Sequence, residues 1–152
     1  EKYKKMSGPE TIWVKKRTGE KSLDYTLMAD IYAIPTKETP YTKAQTPAKI
    51  FEAMAMGRAI VASRLGDIPK ILENGKAGIL AKPGDVESLK RAILKLVGNK
   101  KLRKKIGERA KTAYMKHYHY KKQGEKLLRL YDGLENDLNI PSHRLVYSRY
   151  KS

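Results

Sequence analysis

The sequence predicts an α/β architecture: a mainly parallel sheet flanked by helices, with a helical C-terminal extension. Three observations predict it. Short continuous apolar runs at 30–34, 59–63 and 78–81 are each bounded by turn residues, the pattern of strands buried on both faces. Segments with apolar residues at helical spacing lie between these runs, so the strands are joined by crossovers rather than hairpins. From residue 85 onward the pattern is helical, without further strand signals.

Taken in order, Ser7-Gly8-Pro9 marks a turn. Thr11-Ile12-Trp13-Val14-Lys15 reads as a first short strand, being β-branched and aromatic. A helix is expected over 21–29, with Leu23 and Leu27 on one face, and a strand over 30–34, stopped by Pro35. A loop of Thr, Lys and Pro fills 36–46. Thr46 is a suitable N-cap and Pro47 a suitable first residue for a helix over 48–56, and Gly57 is a suitable stop. The strand at 59–63 leads into a turn opened by Gly66, a short helix over 68–73 ended by Asn74-Gly75, and the strand at 78–81. Asp85 caps a helix striped by Val86, Leu89, Ile93 and Leu96; Leu102, Ile106, Ala110 and Tyr114 stripe the next. Leu127, Leu130, Tyr131 and Leu134 stripe the last. The chain divides into residues 1–135, one α/β unit, and a basic tail, 136–152.

The composition narrows the function. With 152 residues the chain makes one domain. No apolar run is long enough to span a bilayer. The lack of cysteine excludes a disulfide scaffold, a thiol nucleophile and a thiolate zinc site. No signal peptide is visible, and a cytoplasmic location is expected, peripheral on the inner face of the cell membrane. The chain starts with Glu1 rather than Met, so further sequence is expected upstream. Thirty-three Lys and Arg against sixteen Asp and Glu leave a charge of +17, a field that attracts phosphorylated substrates, anionic lipid or nucleic acid. His117 and His119, two apart on a helix, point to different faces and make no metal pair. No metal site is predicted.

In a parallel sheet, ligands bind beyond the carboxyl ends of the strands. Two loops qualify, 35–46 and 63–67. The first leads into Thr46-Pro47-Ala48-Lys49-Ile50-Phe51-Glu52-Ala53-Met54-Ala55-Met56-Gly57. A Lys in the first turn of a helix is disfavoured by the dipole unless an anion sits there, shared with the backbone amides. Glu52 lies three residues on, between small neighbours, and its carboxylate can accept from a diol. Amides and Lys for phosphate, with Glu for ribose hydroxyls, would form a nucleotide clamp. The alternative is an ordinary i,i+3 surface ion pair, worth roughly 0.2–0.5 kcal/mol.

The ordered series from Ala29-Asp30 through Pro35, Pro47 to Gly57, Ala59 to Ser63, Gly66 to Lys70, Asn74 to Leu80 and Pro83-Gly84-Asp85 resembles the donor-binding domain of GT-B glycosyltransferases of group 1, family 4 type. The helix ending Leu130-Tyr131-Asp132-Gly133-Leu134 is similar to that family's C-terminal helix. The resemblance covers roughly 11–134. It implies a Rossmann-like fold and transfer of a hexosyl group from a nucleotide-diphosphate sugar, without cofactor or essential metal, to an acceptor such as a lipid-linked or polysaccharide glycan. It implies Glu52 at the ribose, and Lys49 with the amides of Ala48 and Lys49 at the diphosphate. Pro47, Thr46 and Gln45 approach the sugar and phosphate. Ser63, Arg64 and Gly66 form a second loop nearby. Catalytic residues are not assigned.

The chain departs from the family pattern at three points. Ala44 stands where many members carry a first Glu, Lys70 where the Gly-rich turn carries an acid, and Asp67 where it carries a second Gly. The family's N-terminal acceptor domain is missing upstream, so a partner segment or chain is expected. Two other readings stand beside this one: a degenerate, non-catalytic subunit, and a basic nucleic-acid-binding module, the weaker because no recognised nucleic-acid motif is present.

Overall fold

The computed structural model describes residues 5, 7–15 and 20–137. Three parallel strands form one sheet in the order β1 (Ile31–Ile34), β2 (Ala59–Ser63), β3 (Ile79–Ala81). Ile31 pairs with Ala59 and Ile34 with Ala62; Val61 pairs with Ile79 and Ser63 with Ala81. Helix α1 (Glu20–Met28) precedes β1. Helices α2 (Pro40–Ala44) and α3 (Lys49–Ala55) connect β1 to β2. Helix α4 (Ile68–Ile71) and a 3₁₀ turn (Glu73–Gly75) connect β2 to β3. Helices α5 (Val86–Val97), α6 (Lys100–His117) and α7 (Tyr120–Asp137) follow.

Only the central strand is buried along its whole length. Its alternating side chains feed two cores. Ile60 and Ala62 join Ile50 and Met54 of α3 and Ala110 and Ala113 of α6. Ala59 and Val61 join Ala92 and Leu96 of α5, with Ile106 of α6. Each large aliphatic side chain buried here contributes roughly 1.5–3 kcal/mol. Helix α6 therefore serves both cores, and it crosses the start of β2 at Gly107, where the Gly57 carbonyl leaves no room for a side chain.

The local stop and start signals act as their chemistry requires. Gly57, at φ +63°, ends α3 in a Schellman arrangement: its N–H donates to Met54 and the Arg58 N–H to Ala53. The Asp85 carboxylate accepts from the Ser88 N–H at 2.8 Å, and the Asn99 side chain from the Leu102 N–H at 2.8 Å. Arg58 also donates to the Leu27 carbonyl, tying the end of α1 to the start of β2.

Several sequence expectations are corrected. Residues 11–15 form no strand; they are exposed and, among the described residues, have no neighbouring strand to hydrogen-bond with. β1 is half-buried rather than buried on both faces, because among the described residues it lies at the edge of the sheet. The loop at 36–46 contains α2, started by a Thr39/Thr42 capping box. Thr46 does not cap α3. Ala48 holds the cap position, and the Ile50 and Phe51 amides bond three residues back in a 3₁₀-like entry. The helix expected over 68–73 ends at Ile71, and Glu73 and Asn74 take left-handed backbone. The apolar stripe of α7 is not core: Leu127, Leu130, Tyr131 and Leu134 are exposed among the described residues. The predicted tail, past the end of α7 at Asp137, lies outside the described residues.

Candidate functional site

The two loops singled out by the strand-end rule meet. β1 ends at Ile34 and β2 at Ser63, side by side in the sheet. The buried Ser63 hydroxyl accepts from the Thr36 N–H at 2.8 Å and so ties the two exits together. The Arg64 N–H donates to the Ala81 carbonyl at 2.8 Å, extending the tie to β3. Gly66, at φ +51°, sits so close under α2 that a Cβ there would stand 2.7 Å from the Lys43 carbonyl oxygen. Only glycine combines that backbone with that approach. The turn after β2 is thus a seat for the loop after β1.

A cavity of about 230 Å³ opens at these exits. Pro35, Ser63 and Ala81, one from the end of each strand, line it, and Lys37, Lys82 and Asp85 stand around it. Of these six, Pro35, Lys37 and Ser63 belong to the two strand-end loops that the sequence points to, and Ala81, Lys82 and Asp85 do not. The Pro83-Gly84-Asp85 turn after β3 was the available signal, because it too follows a strand end. The cavity lies on the side of the sheet where α5 packs, since Leu89 and Val86 of α5 also line it.

Glu52 and Lys49 lie on α3, whose buried residues pack on the other side of the sheet. They do not pair with each other. The Lys49 ammonium reaches the Ser22 hydroxyl of α1 at 3.4 Å, and among the described residues no ion pair joins it to Glu52. The surface ion-pair alternative therefore fails. Glu52 Oε2 is buried and has no hydrogen-bond partner among the described residues. A buried polar oxygen left without a partner costs on the order of 1–3 kcal/mol, more when charged, and calls for an explanation. The amides of Ala48 and Lys49 likewise donate to no backbone acceptor among the described residues. Gln45, which is extended, Thr46 and Pro47 form the link from α2 to α3.

Glu38, an acid of the same loop, is held outward by Lys43 at 2.6 Å, with both side chains more than half exposed. On the far side of α3, Phe51 packs on Tyr118 with ring centroids 5.0 Å apart. Burial, then the nearby Glu73 and Asp67 carboxylates, push the Tyr118 hydroxyl pKa up, so it stays neutral and serves as packing. Among the described residues, no group of three His, Asp or Glu side chains converges as a metal site, and no helix is long and apolar enough to cross a membrane.

Comparison with known proteins agrees with this architecture. An uncharacterized glycosyltransferase of Methanocaldococcus jannaschii is 32% identical over 117 residues, covering 77% of this chain and 29% of that protein. The N-acetyl-alpha-D-glucosaminyl L-malate synthase of Bacillus anthracis is 29% identical over 89 residues, covering 59% of this chain and 22% of that one. Among solved structures, sucrose-phosphate synthase from Thermosynechococcus elongatus superposes with a TM-score of 0.67 at 20% identity, over 74% of this chain and 27% of that chain. A glycosyltransferase from Rickettsia africae superposes with a TM-score of 0.65 at 21% identity, over 78% of this chain and 30% of that chain. These two likenesses bear on the fold: a parallel, Rossmann-like sheet of the GT-B type. The chain spans less than a third of each of these proteins. The family described as "Glycosyl transferases group 1" matches residues 2–99, more than half of the chain, and the chain belongs to that family.

Proposed function

We propose that this chain supplies part of the donor-binding half of an enzyme that moves a hexosyl group from a nucleotide-diphosphate sugar to an acceptor such as a lipid-linked or polysaccharide glycan. The observation that carries the reading is the buried, unpartnered Glu52 Oε2 on the helix that follows the β1 exit. A ribose diol would supply the missing donor, and a carboxylate accepting from it makes a charge-assisted bond. Lys49 and the amides of Ala48 and Lys49 are assigned to the diphosphate, with Gln45, Thr46 and Pro47 beside the sugar. Among the described residues Lys49 has only a long bond to the half-buried Ser22 to give up in turning toward a phosphate.

When the bond from the anomeric carbon to the diphosphate oxygen breaks, negative charge grows on the leaving diphosphate. Fixed donors and an ammonium at that point lower the barrier. The reading assigns that charge to Lys49 and the amides, with no metal or cofactor. The second loop, with Ser63, Arg64 and Gly66, supports the first rather than touching the donor. Ser63 is already engaged to Thr36, and Gly66 is pressed against α2. The acceptor and its activating base belong to the remainder of the enzyme, contributed by further sequence or by a partner chain. Location on the cytoplasmic face of a membrane is part of the same proposal.

The test is titration of the labelled protein with UDP, GDP and ADP, followed by NMR. The proposal expects shifts at 45–52 with a preference for one base. Glu52→Gln, which keeps the shape and removes the charge, is expected to weaken that nucleotide about tenfold or more with an unchanged spectrum elsewhere. Equal binding by both proteins would remove Glu52 from the site. No binding at millimolar nucleotide would favour the degenerate, non-catalytic subunit, for which Ala44 already speaks.

A further inference from the structure

Charge in this protein is concentrated. Residues 100–129 hold twelve of its 33 Lys and Arg but only two of its 16 Asp and Glu. The structure puts half of those twelve cations on one surface. Helix α6 buries Ile106, Gly107, Ala110 and Ala113, and its opposite face carries Lys101, Lys104, Lys105, Arg109, Lys111 and Lys116, all exposed. The one acid on the helix, Glu108, lies 3.9 Å from Lys104. From the facing 3₁₀ segment, Lys76 and Glu73 share a groove with Lys105, Arg109 and Lys116. The face runs the full eighteen residues of the helix, about 27 Å.

Helix stability does not ask for this arrangement. The first turn of α6 holds no acid and begins Lys100-Lys101, where the helix dipole disfavours cations. Helix α7 repeats the conflict: it starts Tyr120-Lys121-Lys122, again with no acid in its first turn. A local cost accepted in two successive helices marks a surface kept for something else.

We propose that the outward face of α6 docks on an anionic lipid bilayer. The groove beside it is lined by the carboxylates of Glu73 and Glu108 as well as by cations, which disfavours a phosphate backbone lying along it. Half-exposed Met115 lies among the cations, and exposed Tyr120 follows at the start of α7. Cations beside a few apolar and aromatic side chains suit the headgroup layer, where each kind of group finds its own medium. The inference deepens the location part of the proposed function and is independent of the donor part.

Cosedimentation with vesicles of phosphatidylcholine containing about one third phosphatidylglycerol tests it. Binding is expected at low salt, and is expected to be lost in high salt or on pure phosphatidylcholine. The triple variant Lys101→Glu, Lys105→Glu, Arg109→Glu is expected to lower partitioning at least about tenfold. A second triple variant, Lys90→Glu, Arg91→Glu, Lys95→Glu on α5, changes the net charge equally and is expected to stay within about threefold of the parent. Equal loss in both variants would reduce the effect to bulk charge and overturn the proposal. So would an α6 variant that loses binding to a DNA duplex while keeping its vesicle binding. Nucleotide titration of the same variants keeps the two proposals apart: the α6 changes should leave it untouched whatever the vesicles show.

Discussion

At Ser63 one hydroxyl holds two strand exits in register. It is buried, and it accepts from Thr36, 27 positions earlier in the chain. Ser63→Ala would leave the Thr36 N–H without its acceptor at the end of an edge strand. A loss of about 1–2 kcal/mol is expected, read as a lower midpoint in urea denaturation with an unchanged slope. An unchanged midpoint would mean that water replaces the hydroxyl without penalty. Glu52 presents the reverse case: Ser63 satisfies a neighbour, whereas Glu52 has a buried oxygen that no neighbour satisfies. In the proposed function the first residue builds the site and the second binds in it.

The elements are held together by one close crossing. Helix α6 meets the start of β2 where Gly107 lies against the Gly57 carbonyl, and neither chain can retreat, because both lead into buried core. Gly107→Ala gains up to about 1 kcal/mol in helix propensity. The overlap of its methyl with a backbone oxygen costs more, so a net destabilisation of about 2–4 kcal/mol is expected. Gly133→Ala on α7 is the control, since a Cβ there meets nothing within 4 Å, and it is expected to stabilise slightly. Thermal melts of the two variants should move in opposite directions; a neutral Gly107→Ala would mean that the crossing is looser than its geometry.

The chain carries a formal charge of +17 on a fold whose described sheet has only three strands. The five ion pairs among the described residues offset little of it, and four of them join well-exposed side chains, where pairs contribute little. Self-repulsion therefore works against the compact state. The melting temperature is expected to rise by a few degrees between about 10 mM and 200 mM salt, as the screening length falls. A flat or falling curve would show that the cations are far enough apart not to repel.

What depends on near neighbours is legible in the sequence. Periodicity located β2, β3 and the helices after residue 85, and the Asp85 cap and the Gly57 stop follow from side-chain and backbone chemistry within a single turn. The ordered motifs were enough to recognise the family. Which strand is central among the described residues, and so why β2 is buried while β1, equally apolar, lies at the edge, depends on the fold as a whole. The fold decided that 11–15 has no strand to pair with among the described residues and that the leucines of α7 face outward. It turned Lys49 toward Ser22 rather than Glu52, and set Gly66 under Lys43. The physical reason is common to these cases. A hydrophobic pattern reports which face of an element is apolar, but not whether anything covers that face. Strand pairing and close backbone approach are contacts between distant positions, which only the folded chain brings together.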